Sequence, residues 1–424
     1  MKVMVIGSGG REHAIIKSLK KSSEIEKIYA LPGNGGMIND ATCVDIKATD
    51  IEGAVDFALN NDIGFAVVAP DDPLVLGMVD ALEEKGIKCF GPRKNAAIIE
   101  GSKVFSKNLM KKYNIPTASY EVFDNALDAL KYLDEVNSSY PTVIKADGLA
   151  LGKGVIIAKD KDEAVDAVKS IMEDKVFGES GSKIVIEEFL EGPEVSVLSF
   201  TDGNVVVPMV SSMDHKRAKD NDEGLNTGGM GTIAPNPYYT EDVAKECYDK
   251  IFVPTIEAMK KEGRPFKGCL YFGLMLTKKG PYVIEYNCRF GDPETQVVLP
   301  LLKSDLFDIM KKVADENLKE EDVVFAKKSA ACVIMASDGY PVSYEKGFEM
   351  KLPETKEYEE IYVAGAAIKD TKLVTNGGRV LGATAIDDSL EGAIKKAYEL
   401  VSRTHFENAY YRKDIGQKAL AAKK

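Results

Sequence analysis

The stretch VIEYNCRFGDPETQ, residues 283–296, places Glu285, Asn287 and Arg289 at every second position. Its first half is apolar enough to be a strand, and side chains two apart on a strand share a face. A carboxylate beside an amide offers hard oxygen donors of the kind Mg²⁺ or Mn²⁺ takes, with phosphate oxygens and water completing the shell. A guanidinium on that face could hold a carboxylate or a transferring phosphoryl group. Taken alone, the trio could equally be a salt-bridge network on an edge strand.

Upstream stretches supply what such a site would need. KADGLALGKGV, residues 145–155, carries Lys145 at a strand end and Lys153 between Gly152 and Gly154. Glycines let a backbone close over phosphates, and each lysine adds a compact positive charge. The spacing is not that of a Walker loop, so a flap between two strands is expected, with a solvent hairpin as the alternative. IVIEEFLEGPEVSV sets Glu187, Glu188 and Glu194 around an apolar strand. Beside a phosphate flap, that strand could be an edge reading adenine through its backbone, with Glu194 accepting ribose hydroxyls. The plainer reading is a core strand with solvated acids at its end. GSGGRE, residues 7–12, lacks the third glycine of a dinucleotide fingerprint, because Glu12 stands there. Gly9 and Gly10 at a helix start could still bind an anion through free N–H groups, or form a plain tight turn.

These residues need elements to position them. The first hundred residues alternate short apolar strands with helical patterns at 11–21, 50–60 and 74–86, which implies a parallel sheet covered by helices. A capped helix follows at 102–113, then strands at 142–146, 155–158 and 183–190, with a helix at 161–173. Longer strands, a helix at 241–261 and a polar loop at 220–231 complete a central region. From about residue 328, strands and a helix at 389–403 suggest an α+β unit, and the tail ALAAKK is expected to fray. The expected division is thus 1–101, 102–327 with a lid over about 120–190, and 328–424.

Composition narrows the class. Acidic residues outnumber basic ones by 67 to 55, a formal charge of −12, which argues against a general nucleic-acid binder or a basic membrane-surface protein. No secretory leader or membrane-spanning run is visible. The six cysteines are scattered without a CxxC pair, so reduced thiols and a cytoplasmic location are expected.

The order of motifs resembles the ATP-grasp superfamily and, within it, the phosphoribosylamine–glycine ligase family. The similar stretches are GSGGREHA, PGNGG, EGSKVFSK, KADGLALGKGV, IEEFLEG, DHKRAKDND, NTGGMG, NCRFGDPETQ, TNGGRVLG and YYRKDIG. The resemblance implies an α/β protein: an amino-terminal parallel domain, an ATP-grasp domain with a mobile lid, and a small carboxyl-terminal α+β domain. It implies ATP-dependent ligation of glycine to 5-phosphoribosylamine through glycyl phosphate, in a chain that could act as a monomer. Glu285 and Asn287 would hold Mg²⁺ or Mn²⁺. Lys103, Lys145 and the loop with Gly152, Lys153 and Gly154 would contact phosphates. Glu187, Phe189 and Leu190 would border adenine, and Glu194 the ribose. Arg289, with Lys145 and Asp214, would carry the chemistry, Arg289 steadying the acyl phosphate. Asp214, Lys216, Asn226, Thr227, Gly228 and Gly229 would lie near glycine and the ribosyl substrate, with Gly9, Gly10, Arg11 and Asp71 on the ribosyl side. His13 and His215 are expected to be structural.

The chain departs from the family pattern at Ala69, Asp71, Met213, Val342 and Val363. LYFGLML offers no carboxylate, so no further metal ligand is expected from that strand. Two rivals stand beside this reading: another carboxylate–amine ligase on the same scaffold, and a catalytically silent nucleotide-binding module.

Overall fold

The computed structural model describes residues 1–135, 140–149 and 154–422. The amino-terminal unit runs β1 (Lys2–Gly7), α1 (Gly10–Leu19), β2 (Lys27–Pro32), β3 (Thr42–Cys43), α2 (Ile51–Asn60), β4 (Phe65–Val68), α3 (Asp71–Leu76), α4 (Met78–Glu83), β5 (Lys88–Phe90) and α5 (Lys94–Gly101). Its strands are parallel, in the order β3-β2-β1-β4-β5. That is the sheet the alternating pattern implied. The single helix expected at 74–86 is split, because Gly77 takes φ +98° and ends α3 in a left-handed turn.

Next, α6 (Lys103–Lys112) starts on a Ser102 cap that accepts the Phe105 N–H. It leads into a lid of β6 (Tyr120–Phe123), α7 (Ala126–Glu135), β7 (Thr142–Ala146), β8 (Val155–Ala158), α8 (Lys161–Val168) and β9 (Ile184–Glu188). The lid strands are antiparallel in the order β6-β9-β7-β8. They pack with the two helices around a core of their own that includes Leu133, Ile144, Ala164, Val168 and Ile186. A unit with a private core can shift as a body without opening its neighbours.

The central sheet has the order β11-β10-β16-β17. Its chain runs β10 (Glu194–Thr201), β11 (Val206–Pro208), β12 (Met213–Asp214), β13 (Arg217–Lys219), β14 (Glu223–Asn226), β15 (Gly231–Ala234), α9 (Glu241–Cys247), α10 (Val253–Lys261), β16 (Gly268–Thr277) and β17 (Gly280–Asn287). The 220–231 stretch is more ordered than its turn-rich composition implied: β14 pairs back on β13, and β15 starts at Gly231. The amino-terminal and central sheets share cores in which Met4, Leu74 and Ile99 pack with Phe252, Phe272 and Val283.

The rest runs α11 (Thr295–Val298), α12 (Leu306–Ala314), β18 (Ser329–Ser337), β19 (Glu359–Val363), β20 (Ala366–Lys369), β21 (Lys372–Thr375), β22 (Arg379–Asp387), α13 (Leu390–Arg403), β23 (Ala409–Tyr410) and α14 (Gln417–Ala422). The carboxyl-terminal sheet draws in β12 and β15, giving the order β12-β15-β18-β22-β19, with β23 on β18. The tail does not simply fray, since α14 buries Ala419.

Candidate active site

The lid, the central sheet and the carboxyl-terminal sheet meet around a cavity of about 860 Å³. One wall is the end of β17. Opposite Gly273 and Leu274 of β16, β17 carries an extra residue, Ile284, in a bulge. Such a bulge re-aims neighbouring groups. The Ile284 carbonyl thereby accepts a bond from Lys145 Nζ at 3.0 Å, and Glu285 and Asn287 line the cavity. Burial raises the Glu285 carboxyl, but Lys216, Lys145 and Lys103 together more than offset this and keep it below the usual value. Arg289 lies just past the strand and lines the same cavity. It pairs with Glu100 at 3.0 Å and stands 3.9 Å from Asp71. Its Nε is buried without a hydrogen-bond partner among the described residues.

The lid and α6 together supply the lysines. Lys145 on β7 and Lys107 on α6 share one carboxylate, Glu187, at 3.0 Å each. Burial draws Lys107 down to about 8, against the pull of Glu187. Lys107 also donates to Thr117 Oγ1 at 2.8 Å, and Thr117 donates to the Val283 carbonyl of β17 at 2.8 Å. Lys103 donates to the Gly148 carbonyl at 2.9 Å, while Asp147 accepts the Val104 N–H at the start of α6. Gly154 lines the cavity. Gly152 and Lys153 lie outside the described residues.

The geometry refines two expectations. Glu187 sits on β9, between β6 and β7, so its backbone is already paired on both sides and its side chain is taken by lysines. Glu187 lines the cavity together with Glu188, Phe189 and Leu190, and the open edge begins past the paired Glu188, at Phe189 and Leu190. At the start of α1, the Gly9 N–H is bonded by Glu12 Oε2 at 2.6 Å. Of the anion place expected at Gly9 and Gly10, the Gly9 N–H is thus occupied by the chain's own carboxylate. These two glycines do not line the cavity, whereas Arg11 and Asp71 do.

The third wall is the segment from Asp214 to Gly229. Asp214, Lys216, Asn226, Thr227 and Gly228 all line the cavity. Lys216 reaches Glu194 at 3.2 Å and Glu285 at 3.7 Å. Gly229, at φ +112°, backs onto Asp214, where a Cβ would come within 2.6 Å of Oδ1. Burial raises both Asp214 and Glu294, and the Glu294 charge raises Asp214 further. The loop hangs from the carboxyl-terminal sheet: Arg379 Nη1 donates to the Gly228 carbonyl at 2.6 Å and the Asp292 carbonyl at 2.9 Å, and Tyr340 Oη accepts the Gly228 N–H at 3.3 Å.

Residues 412–418 brace this wall from behind. Arg412 is buried and grips Asp414 at 2.8 Å, Asp222 at 2.9 Å and the Arg217 carbonyl at 3.1 Å. Lys418 pairs with Asp222. His215 Nε2 accepts the Gly416 N–H at 3.0 Å, so its Nδ1 carries the proton and donates to the Gly231 carbonyl at 3.1 Å. Burial lowers it to about 4. His13 Nδ1 accepts the Val363 N–H at 2.8 Å, which leaves Nε2 to donate to Asp40 at 3.0 Å. Both rings have the structural partners expected of them.

Comparison with known proteins decides the relationship. Residues 1–100, 101–295 and 330–418 match the N, ATP-grasp (A) and C domains of phosphoribosylglycinamide synthetase. The chain belongs to the phosphoribosylglycinamide synthetase family. A phosphoribosylamine–glycine ligase of Caldanaerobacter subterraneus subsp. tengcongensis is 50% identical over 416 residues, covering 98% of this chain and 99% of that one. The crystal structure of a phosphoribosylamine–glycine ligase from Thermotoga maritima is 38% identical with a TM-score of 0.85, covering 98% of this chain and all of that one. A biotin carboxylase from Campylobacter jejuni, solved with a β,γ-ATP ligand, has a TM-score of 0.77 at 14% identity, a likeness of fold alone.

In this member of the synthetase family, several cavity residues escaped the sequence reading. Glu100 and Lys107 lie within EGSKVFSK and Arg379 within TNGGRVLG, while Arg412, which braces the wall from behind, lies within YYRKDIG. Their motifs signalled the family but not their roles, because their partners lie far along the chain. Of the departures, Met213 lines the cavity, Val342 is exposed, and Val363 uses its backbone N–H on His13.

Proposed function

We propose that this chain couples ATP cleavage to the joining of glycine and 5-phosphoribosylamine, giving glycinamide ribonucleotide, ADP and phosphate for purine biosynthesis. What carries the reading is the convergence of Lys103, Lys107 and Lys145 with Glu285, Asn287 and Arg289 on one cavity, in a chain of this family. A glycine carboxylate oxygen attacks the γ-phosphorus, the β–γ bridging P–O bond breaks, and ADP leaves. The amine nitrogen then attacks the acyl carbon, the C–O bond to phosphate breaks, and the nitrogen sheds a proton. Such transfers need positioning and charge neutralisation more than covalent help.

The lysines fit the phosphate oxygens, with Lys153 of the glycine loop proposed to join them. Phe189 and Leu190 fit adenine beyond the paired part of β9, and Glu194 fits the ribose. The unpartnered Nε of Arg289 fits an anionic group on the acyl phosphate. The raised pair Asp214 and Glu294 suits an ammonium group, whose charge would relieve both. Lys216, Asn226, Thr227, Gly228 and Gly229 border that place, and Arg11 and Asp71 the ribosyl side. The oxygen donors of Glu285 and Asn287 fit Mg²⁺ or Mn²⁺, two protein ligands being enough where phosphates supply others. When bound, the metal neutralises phosphate charge. The lid, closing as a unit, keeps water from the acyl phosphate. A cytosolic location fits these substrates, and no described helix is long and apolar enough to cross a membrane.

Purified protein should release ADP only when glycine and freshly made phosphoribosylamine are both present. Equal turnover with unrelated amines would overturn the substrate assignment.

A further inference from the structure

We propose that Glu100 is a positioning residue that aims both the Asn287 amide oxygen and the Arg289 guanidinium into the cavity. The inference rests on the metal reading of β17 above. Glu100 lies in the last turn of α5 and is 8% exposed. Its Oε1 accepts from Asn287 Nδ2 at 3.0 Å and pairs with Arg289 Nη2 at 3.0 Å. Its Oε2 accepts the Cys288 N–H at 2.7 Å. One side chain thus pins three consecutive residues.

It does so where pinning is needed. β17 ends at Asn287, so the sheet ladder no longer holds Cys288 and Arg289. The anchor itself is firm, because Ala96, Ala97 and Ile99 of α5 are buried in the core shared with the central sheet. An ionised carboxylate only accepts hydrogen bonds. It can engage the NH₂ end of the Asn287 amide and repels the oxygen end. Oδ1 is therefore turned away from Glu100, free to serve as a metal ligand. A neutral amide at position 100 could bond either end and would lose that selection. Groups that orient a metal ligand in this way typically matter by 10- to 100-fold in affinity.

The test is Mn²⁺ binding, followed by electron paramagnetic resonance, to the full chain with ADP present. Glu100→Gln should weaken Mn²⁺ at least about tenfold, while metal-free ADP affinity stays within about twofold. Asn287→Asp should also weaken Mn²⁺, although a carboxylate is in itself the stronger ligand, because it would face Glu100 with like charge. The double variant Glu100→Gln/Asn287→Asp should recover most of the loss, since a glutamine N–H can donate to the new carboxylate. Wild-type Mn²⁺ affinity in folded Glu100→Gln would overturn this inference alone, and so would a double variant no better than Asn287→Asp. Failure of the unaltered protein to hold Mn²⁺ with ADP would overturn the metal reading and the inference together.

Discussion

Two lysine clusters line the cavity, and each inverts the stoichiometry of the other. Under the lid, one carboxylate, Glu187, serves two ammonium groups, Lys107 and Lys145, all three nearly closed to solvent. Beside β17, one ammonium group, Lys216, serves two carboxylates, Glu194 and Glu285, with side chains 38%, 52% and 34% exposed. The first cluster carries a surplus positive charge and suits phosphates. The second carries a surplus negative charge and suits a cation. Their burial differs in the same sense. A charge excess inside the protein must be held by geometry, whereas one at an open wall is screened by water.

The largest expected effect breaks the buried cluster. Glu187→Gln would leave two enclosed ammonium groups without a counter-charge and should cost about 3–5 kcal/mol of stability, read from denaturant unfolding. Lys216→Met should cost less, about 1 kcal/mol in the same measurement, its partners Glu194 and Glu285 being partly exposed. Equal costs would erase the distinction between the walls. Next comes Glu285→Gln, which should lower metal-dependent ADP release by on the order of 100-fold, about 2.7 kcal/mol, with little change in unfolding midpoint. Undiminished turnover would place the metal elsewhere.

Solution pH should attack the two walls from opposite ends. Burial holds His215 at about 4 in the folded protein, below the usual imidazole value of about 6.5. Between those values the unfolded chain binds the extra proton. The stability it contributes is therefore full above about pH 6.5, falls on acidification and levels off below about pH 4, a loss of roughly 3 kcal/mol. His215→Gln, which can still donate and accept, should flatten that part of the stability curve relative to wild type. The smallest effect lies at the alkaline end. Lys107, titrating at about 8, loses its proton as pH rises and takes the surplus charge of the buried cluster with it. The KM for ATP should rise several-fold, roughly 1 kcal/mol, between about pH 7 and 9, and Lys107→Met should show a flatter profile.

Periodicity made the parallel amino-terminal sheet legible, because its strands are continuous apolar runs closed by Gly or Pro. It also placed Glu285 and Asn287 on a shared face, which the bulge at Ile284 leaves intact by falling before both. What it could not show were contacts between distant residues. Asn287 meets Glu100 across 187 positions, and Gly228 meets Arg379 across 151. Glu12 was visible only as an interruption of a glycine fingerprint, yet it bonds the Gly9 amide that seemed available for a ligand. Glu187 looked like part of an edge because its strand lies beside a phosphate flap, but strand order is set by the whole lid and puts it in the middle. The 220–231 turn residues concealed a hairpin, because Gly224 takes φ +79° within β14 and the bulged pairing tolerates it.

The bond from Gly416 to His215 spans 201 residues and has a temporal consequence. During synthesis, the lid and the lysines emerge long before the chain around Arg412 and Gly416. The wall carrying Asp214 and Lys216 stays unbraced until that later segment has left the ribosome. The lysines that face the cavity are thus in place early, whereas the wall across from them waits for the segment around Gly416.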